Sequence, residues 1–281
     1  MVVVSAKDVA ALRKATGAGM MDCKKALEEN DGDLEAAKDW LRAQGITKLD
    51  KRAGRAAEQG AIDVAVDGSA GAVVELTCET DFVAKGSEFR ELVAALARLV
   101  VERGDSDLEA QPFEGATAGD AIKGLAAKLG ENVGLGRVAR YETTDGLLDA
   151  YKHVQNERGT IGVLVELGGV DAGDAKAREI AHDVALHVAS AAPRYANRDD
   201  VPAEVVERER AVLEELTRNE GKPEQAVPKI VEGRLNSFFK DVVLSEQPFI
   251  RDSKATVGKL VSELGGGATV RRFVRFKIGE E

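Results

Sequence analysis

The feature that most constrains this chain is a pattern met twice in the same order. Two short runs alternate apolar and polar residues, and a stretch with apolar residues at helical spacing follows them. In the first copy Ile62, Val64 and Val66 alternate, Asp67-Gly68-Ser69 turns the chain, and Ala72-Val73-Val74-Glu75-Leu76 returns. A period of two on either side of a Gly-containing turn predicts a β-hairpin. Phe89, Leu92, Val93, Leu96 and Val100 then repeat at helical spacing. In the second copy Leu148 to Val154 and Ile161 to Leu167 flank a turn through Asn156 to Gly159, and Ile180, Val184 and Val188 mark the helix. One constant shift lays Val73-Val74-Glu75-Leu76 on Leu164-Val165-Glu166-Leu167 and Phe89 on Ile180. A supersecondary unit that recurs in order is a structural repeat in outline. The expected fold is therefore α+β, with a duplicated hairpin-plus-helix core.

Other elements surround the repeat. Residues 1–46 read as a small three-helix domain: Ser5 and Asp8 form a capping box, Asn30-Asp31-Gly32 ends a second helix, Asp33 caps a third and Gly45 stops it. Residues 47–58, with Lys48, Lys51, Arg52 and Arg55, read as a linker. The first core half is expected over 59–145, with an acidic loop from Gly104 to Gly119, a helix through Ile122, Leu125 and Leu129, and a strand from Val133 to Tyr141. The second half, 146–281, carries an inserted antiparallel helical hairpin at about 203–241. Its expected seam is Val205, Val212 and Leu216 against Val231, Leu235 and Phe238. Ser253 is expected to cap a last helix, and Thr269 to Ile278 a closing strand.

Composition excludes several classes. The formal net charge of -10 over 281 residues disfavours nucleic acid as the main partner, because a polyanion is repelled on average. Cys23 and Cys78 are too few for a disulfide framework. No stretch approaches a membrane span, and the first residues lack the apolar core of a signal peptide, so a cytoplasmic location without membrane contact is expected.

The usual catalytic signatures are missing. There is no G-x-x-x-x-G-K-[ST], so the chain itself is not expected to bind nucleotide. Gly134-Leu135-Gly136-Arg137-Val138-Ala139 fits a loose dinucleotide pattern, but a helix precedes it and a strand follows, the reverse of the required order. His182 and His187 stand five apart, which places them on different helix faces rather than as a metal pair. No enzyme activity, cofactor or metal site is expected.

The chemical interest lies between the first hairpin and its helix, at Cys78-Glu79-Thr80-Asp81-Phe82-Val83-Ala84-Lys85. Two readings compete. In the first, Phe82 staples the helix and Asp81 caps it. In the second, both face a partner. The repeat favours the second, because Asp81 and Phe82 fall on Ala172 and Gly173, so the other copy builds its loop without either side chain.

Thr80-Asp81-Phe82-Val83-Ala84, together with Thr16-Gly17-Ala18-Gly19-Met20-Met21-Asp22-Cys23-Lys24-Lys25-Ala26-Leu27, closely resembles the elongation factor Ts family. His187-Val188-Ala189-Ser190 and Gly258-Lys259-Leu260 are similar to it more weakly. The resemblance implies a guanine-nucleotide exchange factor for the GTPase elongation factor Tu. It also implies that Phe82 wedges between partner helices while Thr80, Asp81 and Val83 help displace Mg²⁺. It implies further partner contacts at Gly17, Gly19 and Met20 in a UBA-like N-terminal domain, and at His187 in the second core half. Such an N-terminal domain would also suit an adaptor that binds a peptide or the ribosome, with Trp40 and the basic linker engaged.

Overall fold

The computed structural model describes residues 4–16, 18–43 and 56–280, and it is an α+β structure. Three helices open it: α1 (Ala6–Thr16), α2 (Met20–Glu29) and α3 (Leu34–Ala43). Ser5 Oγ accepts from the Asp8 N–H at 3.1 Å and donates to Asp8 Oδ2 at 2.6 Å, which fixes the start of α1. Asp33 Oδ1 accepts from the Glu35 and Ala36 N–H groups at 2.8 and 3.0 Å and starts α3. Leu12, Cys23, Ala26, Leu27, Ala37 and Leu41 bury against one another, as their spacing requires. The expected stop at Gly45 and the basic positions Lys48, Lys51, Arg52 and Arg55 lie outside the described residues.

The two copies of the repeat have one topology. In the first, β1 (Gln59–Asp67) and β2 (Ala70–Cys78) form the hairpin, α4 (Asp81–Lys85) and α5 (Ser87–Arg103) follow, and β5 (Val133–Glu142) completes a sheet of order β1-β2-β5. In the second, β6 (Gly146–Gln155) and β7 (Arg158–Gly168) form the hairpin, α7 (Ala175–Ala191) follows, and β10 (Thr269–Lys277) completes a sheet of order β10-β7-β6. Each hairpin's second strand is central, and the third strand joins it from beyond the helix. Asn156 and Glu157, at φ 51° and 67°, make the tight second turn.

Central position explains the burial. Val163, Leu164, Val165 and Leu167 of β7 are all fully buried. Val163, Val165 and Leu167 pack with Ile180, Val184 and Val188 of α7, while Leu164 joins Ile62, Val73 and Phe276. Glu166 is buried between them and is paired: Arg272 Nε lies 2.6 Å away and Arg271 Nη1 3.2 Å. Burial alone would push the Glu166 carboxyl up, but the hydrogen bonds from Arg272 and Arg271 outweigh it and hold the group below its ordinary range.

Three expectations are corrected. The segment from Gly104 to Gly119 is not a plain loop. It holds a 3₁₀ turn at Leu108–Ala110 and a minimal hairpin, β3 (Pro112–Phe113) with β4 (Ala116–Thr117), bent by left-handed residues Glu114 and Gly115 at φ 47° and 85°. Thr117 and Asp120 then make a capping box that starts α6 (Ala118–Leu129). The helical hairpin, α8 (Ala203–Asn219) and α9 (Val227–Val242), closes one residue off the expected seam. Val212 and Leu216 are exposed, while Leu213 and Thr217 face inward and Phe239, not Phe238, is buried. Thr217 tolerates this because its hydroxyl donates to the Leu213 carbonyl at 2.6 Å and accepts from Arg234 at 3.2 Å. Ser253 does not cap the last helix. It lies in β9 (Asp252–Thr256), paired with β8 (Pro248–Phe249), and Thr256 caps α10 (Val257–Ser262) by accepting from the Lys259 N–H at 3.2 Å.

Two compact units interleave along the sequence: Met1–Ala61 with Glu75–Leu92 and Asp107–Gly136, and Ile62–Val74 with Val93–Ser106 and Arg137–Glu281. No helix among the described residues is long and apolar enough to cross a membrane.

Candidate functional site

The candidate site is the loop that leaves β2 and the single helical turn that follows it, all within the first unit. Cys78 ends the strand with its Sγ 3.1 Å from the Thr80 carbonyl. Thr80 is extended, at φ −123° and ψ 153°, and its Oγ1 accepts from the Val83 N–H at 3.4 Å. Thr80 is thus the cap of α4, and Asp81 is its first helical residue, so the reading in which Asp81 caps the helix fails. A hydroxyl or a carboxylate can cap, and the chain turns helical one residue earlier than that reading assumed. The Gly86 N–H donates to the Val83 carbonyl at 3.0 Å and ends the turn, after which α5 begins.

This arrangement decides what each side chain faces. Ala84 is buried beneath the turn, and Phe82, on the opposite side, is 82% exposed. The staple reading fails on that number, since a staple would be covered. Asp81 pairs with Lys85 one turn on, where i and i+4 side chains meet, and the Lys85 ammonium also lies 5.7 Å from the centre of the Phe82 ring. Val83 is half-buried. The loop therefore presents an aromatic wedge with a carboxylate beside it, and it holds no nucleophile-and-base pair. Among the described residues no group of three or more His, Cys, Asp or Glu could hold a metal ion.

Two carboxylates, one from each side, tie the loop to the turn that precedes β5. The Thr80 N–H donates to Glu131 Oε2 at 3.0 Å, and the Thr80 hydroxyl donates to Glu131 Oε1 at 2.6 Å. In the reverse direction the Asn132 N–H donates to Glu79 Oε1 at 2.7 Å. Sequence reasoning missed Glu131, for it stands 51 residues from Thr80 and no local pattern marks it. Lys85 was findable from its i, i+4 spacing to Asp81.

The remaining expected contacts fall elsewhere. Gly17 lies outside the described residues. Gly19 is exposed and precedes α2 with φ −64°, an extended conformation that any residue adopts. Met20 is 60% exposed and Met21 72%, and both line an apolar groove of about 650 Å³ with Val4, Val9 and Ala10. His187 does not face outward. It is buried, its Nδ1 accepts from the Ile250 N–H at 3.3 Å, and its Nε2 therefore carries the proton towards Gln247 Oε1 at 2.9 Å. His187 is thus a satisfied core residue, and its ring is not at the surface. Gly134 and Gly136 lie inside strand β5, and a Cβ on Gly136 would come within 2.8 Å of Glu75 Cγ. Close strand approach, not a phosphate cradle, accounts for that glycine.

Known proteins resemble this chain over nearly its whole length. A family model described as elongation factor TS matches residues 79–280, and one described as the N-terminal part of mitochondrial elongation factor Ts matches residues 1–48. Curated elongation factor Ts proteins from Thermobifida fusca and Micrococcus luteus are 49% and 47% identical over 281 and 280 aligned residues, covering 98% of both chains in each case. That of Aquifex aeolicus is 44% identical over 289 aligned positions, again covering 98% of both. With matches of this extent, and with the Thr80–Val83 loop built as described, the chain belongs to the elongation factor Ts family.

Proposed function

We propose that this chain is a guanine-nucleotide exchange factor that promotes GDP release from elongation factor Tu in the cytoplasm during translation elongation. The observation that carries the reading is Phe82, an exposed aromatic beside a carboxylate on a capped, tied-down turn. Large apolar side chains held in water by a fixed backbone are the usual anchors of protein interfaces. In this reading Phe82 wedges between helices of the GTPase near its magnesium site, and Asp81 and Val83 help to dislodge Mg²⁺. Thr80 contributes differently: its hydroxyl already donates to Glu131 and accepts from Val83, so it shapes the loop.

The thermodynamics require no catalytic residue. A GTPase holds its nucleotide largely through a phosphate cradle and Mg²⁺. A factor that binds the nucleotide-free form more tightly must weaken nucleotide binding by the same coupling energy. A shaped surface with one or two anchors suffices. Met20 and Met21 at the N-terminal groove, with Gly19 just before them, are proposed as a second contact with the same partner, and Arg13, Lys14 and Lys24 also line that groove.

The test is release of fluorescent GDP from elongation factor Tu with and without this chain. Faster release at substoichiometric chain is expected. An unchanged release rate, with salt-sensitive binding to RNA instead, would replace this reading with the adaptor one.

A further inference from the structure

The loop that carries Asp81 and Phe82 is held by a side chain, Glu131, whose hydrogen bonds among the described residues both go to that loop. We propose that Glu131 is a positioning residue for nucleotide exchange: its carboxylate grips the Thr80 N–H and hydroxyl and so fixes the direction in which the turn presents Phe82. The inference rests on the exchange reading above and adds a residue to it.

Three observations carry it. Both Glu131 oxygens are spent on one residue, with Oε2 on the Thr80 N–H at 3.0 Å and Oε1 on the Thr80 hydroxyl at 2.6 Å. Two bonds from one carboxylate fix an orientation that a single bond would leave free to pivot. The grip also orients the cap. With its proton committed to Glu131, the Thr80 hydroxyl offers a lone pair to the Val83 N–H at 3.4 Å, so the start of α4 and the tether are one network. Finally, a loop of this kind does not need such a grip. Between β7 and α7 the corresponding segment closes locally: Asp171 Oδ1 accepts from the Gly173 N–H at 2.8 Å, and Asp174 Oδ1 accepts from the Lys176 N–H at 2.8 Å. The copy without the wedge is closed by its own residues, and the copy with the wedge is tethered from 51 residues away. A five-residue turn such as Asp81–Lys85 is too short to hold its own direction.

The test uses the full chain with elongation factor Tu and fluorescent GDP. Glu131→Ala is expected to slow factor-stimulated release roughly tenfold, as befits two lost charge-assisted bonds. In a Phe82→Ala background the same change is expected to cost less than about twofold, because a direction no longer matters once the wedge is gone. Amide hydrogen exchange of the isolated variant should quicken at Val83 and Ala84 and stay unchanged in β7 and α7. Glu131→Gln, which keeps one acceptor for the Thr80 hydroxyl, should fall between wild type and Glu131→Ala, and it carries the same comparison if the alanine variant fails to fold. A wild-type rate for Glu131→Ala beside a slow Phe82→Ala would overturn the inference while leaving the exchange reading intact. So would an equal loss in both backgrounds, since that marks a direct contact or a general loss of fold. A normal rate for Phe82→Ala alone would instead sink the wedge reading, and unchanged protection at Val83 and Ala84 would separately sink the tether.

Discussion

The loop between β2 and α4 and the loop between β7 and α7 connect equivalent elements, yet they spend their residues in opposite ways. The first places Phe82 in solvent at 82% exposure, pairs Asp81 with Lys85, and borrows Glu131 from a distant turn. The second has Ala172 and Gly173 at the corresponding positions, caps its helix with Asp174, and leads without a break into a helix of 17 residues. The first helix is broken at Gly86 after five residues and restarts at Ser87. A duplicated architecture thus shows what the fold needs, through the plainer copy, and what has been added, through the other. The additions are a wedge, a carboxylate, a break that sets them on a separate turn, and a tether.

The largest effect that tests this division lies seven residues beyond Phe82. Phe89 is fully buried on α5 and corresponds to the buried Ile180 on α7, so both copies need an apolar side chain there. Phe89→Ala should destabilise the isolated protein by about 3–5 kcal/mol in chemical denaturation. If it costs under about 1 kcal/mol, as an exposed site would, the shared core is not where the repeat sets it.

Phe82→Ala should do the reverse. Stability should change by less than about 1 kcal/mol, while stimulated GDP release should fall roughly thirtyfold, the equivalent of about 2 kcal/mol at a truncated interface anchor. Near-normal release with near-normal stability would leave the loop without a part in exchange.

The helix caps separate the copies at a finer scale. Asp174→Ala and Thr80→Ala each remove one cap and should each cost about 1 kcal/mol of stability. Only Thr80→Ala should also slow exchange, since it alone loosens the turn that carries Phe82. Equal exchange rates for the two variants would mean that the orientation of α4 is immaterial.

Much of this was legible in the sequence, and what was not has physical causes. The duplication showed because hairpin and helix periods are local, and Asp33 and Ser5 announced their helices because a cap bonds within three residues. Asp81 and Phe82 stood out because their counterparts are small. Which residue caps was not legible, since Thr and Asp both cap well and only the bond from the Val83 N–H shows which one the backbone uses. Glu131 was invisible because the contact is tertiary. The hairpin seam was missed at Thr217, where a polar residue takes a core position by bonding its own helix. The burial of the His187 ring, by contrast, was legible. It stands seven residues from Ile180 and three from Val184, squarely on the apolar stripe, and periodicity would have put it inside.

That last residue supplies the smallest expected effect and the final contrast between the copies. The shift that aligns the repeats sets His187 on Leu96, and both are buried. The second copy therefore keeps an ionisable group where the first keeps a hydrocarbon. Burial lowers the His187 pKa, the bond to Gln247 opposes this only in part, and the net direction is down. An unfolded histidine titrates near about 6.5, so below that pH the unfolded chain takes up a proton that the folded chain resists. Stability linked to His187 is complete above the unfolded value and is lost as pH falls through the folded one. Denaturation at about pH 7.5 and about pH 5.5 should show wild type losing more stability than His187→Gln, which keeps a donor and an acceptor but cannot charge. Carboxylates elsewhere titrate in both proteins and cancel from that difference. Parallel losses would mean that His187 takes its proton as freely folded as unfolded, which a buried ring bonded through both nitrogens cannot do, and they would place the ring at the surface.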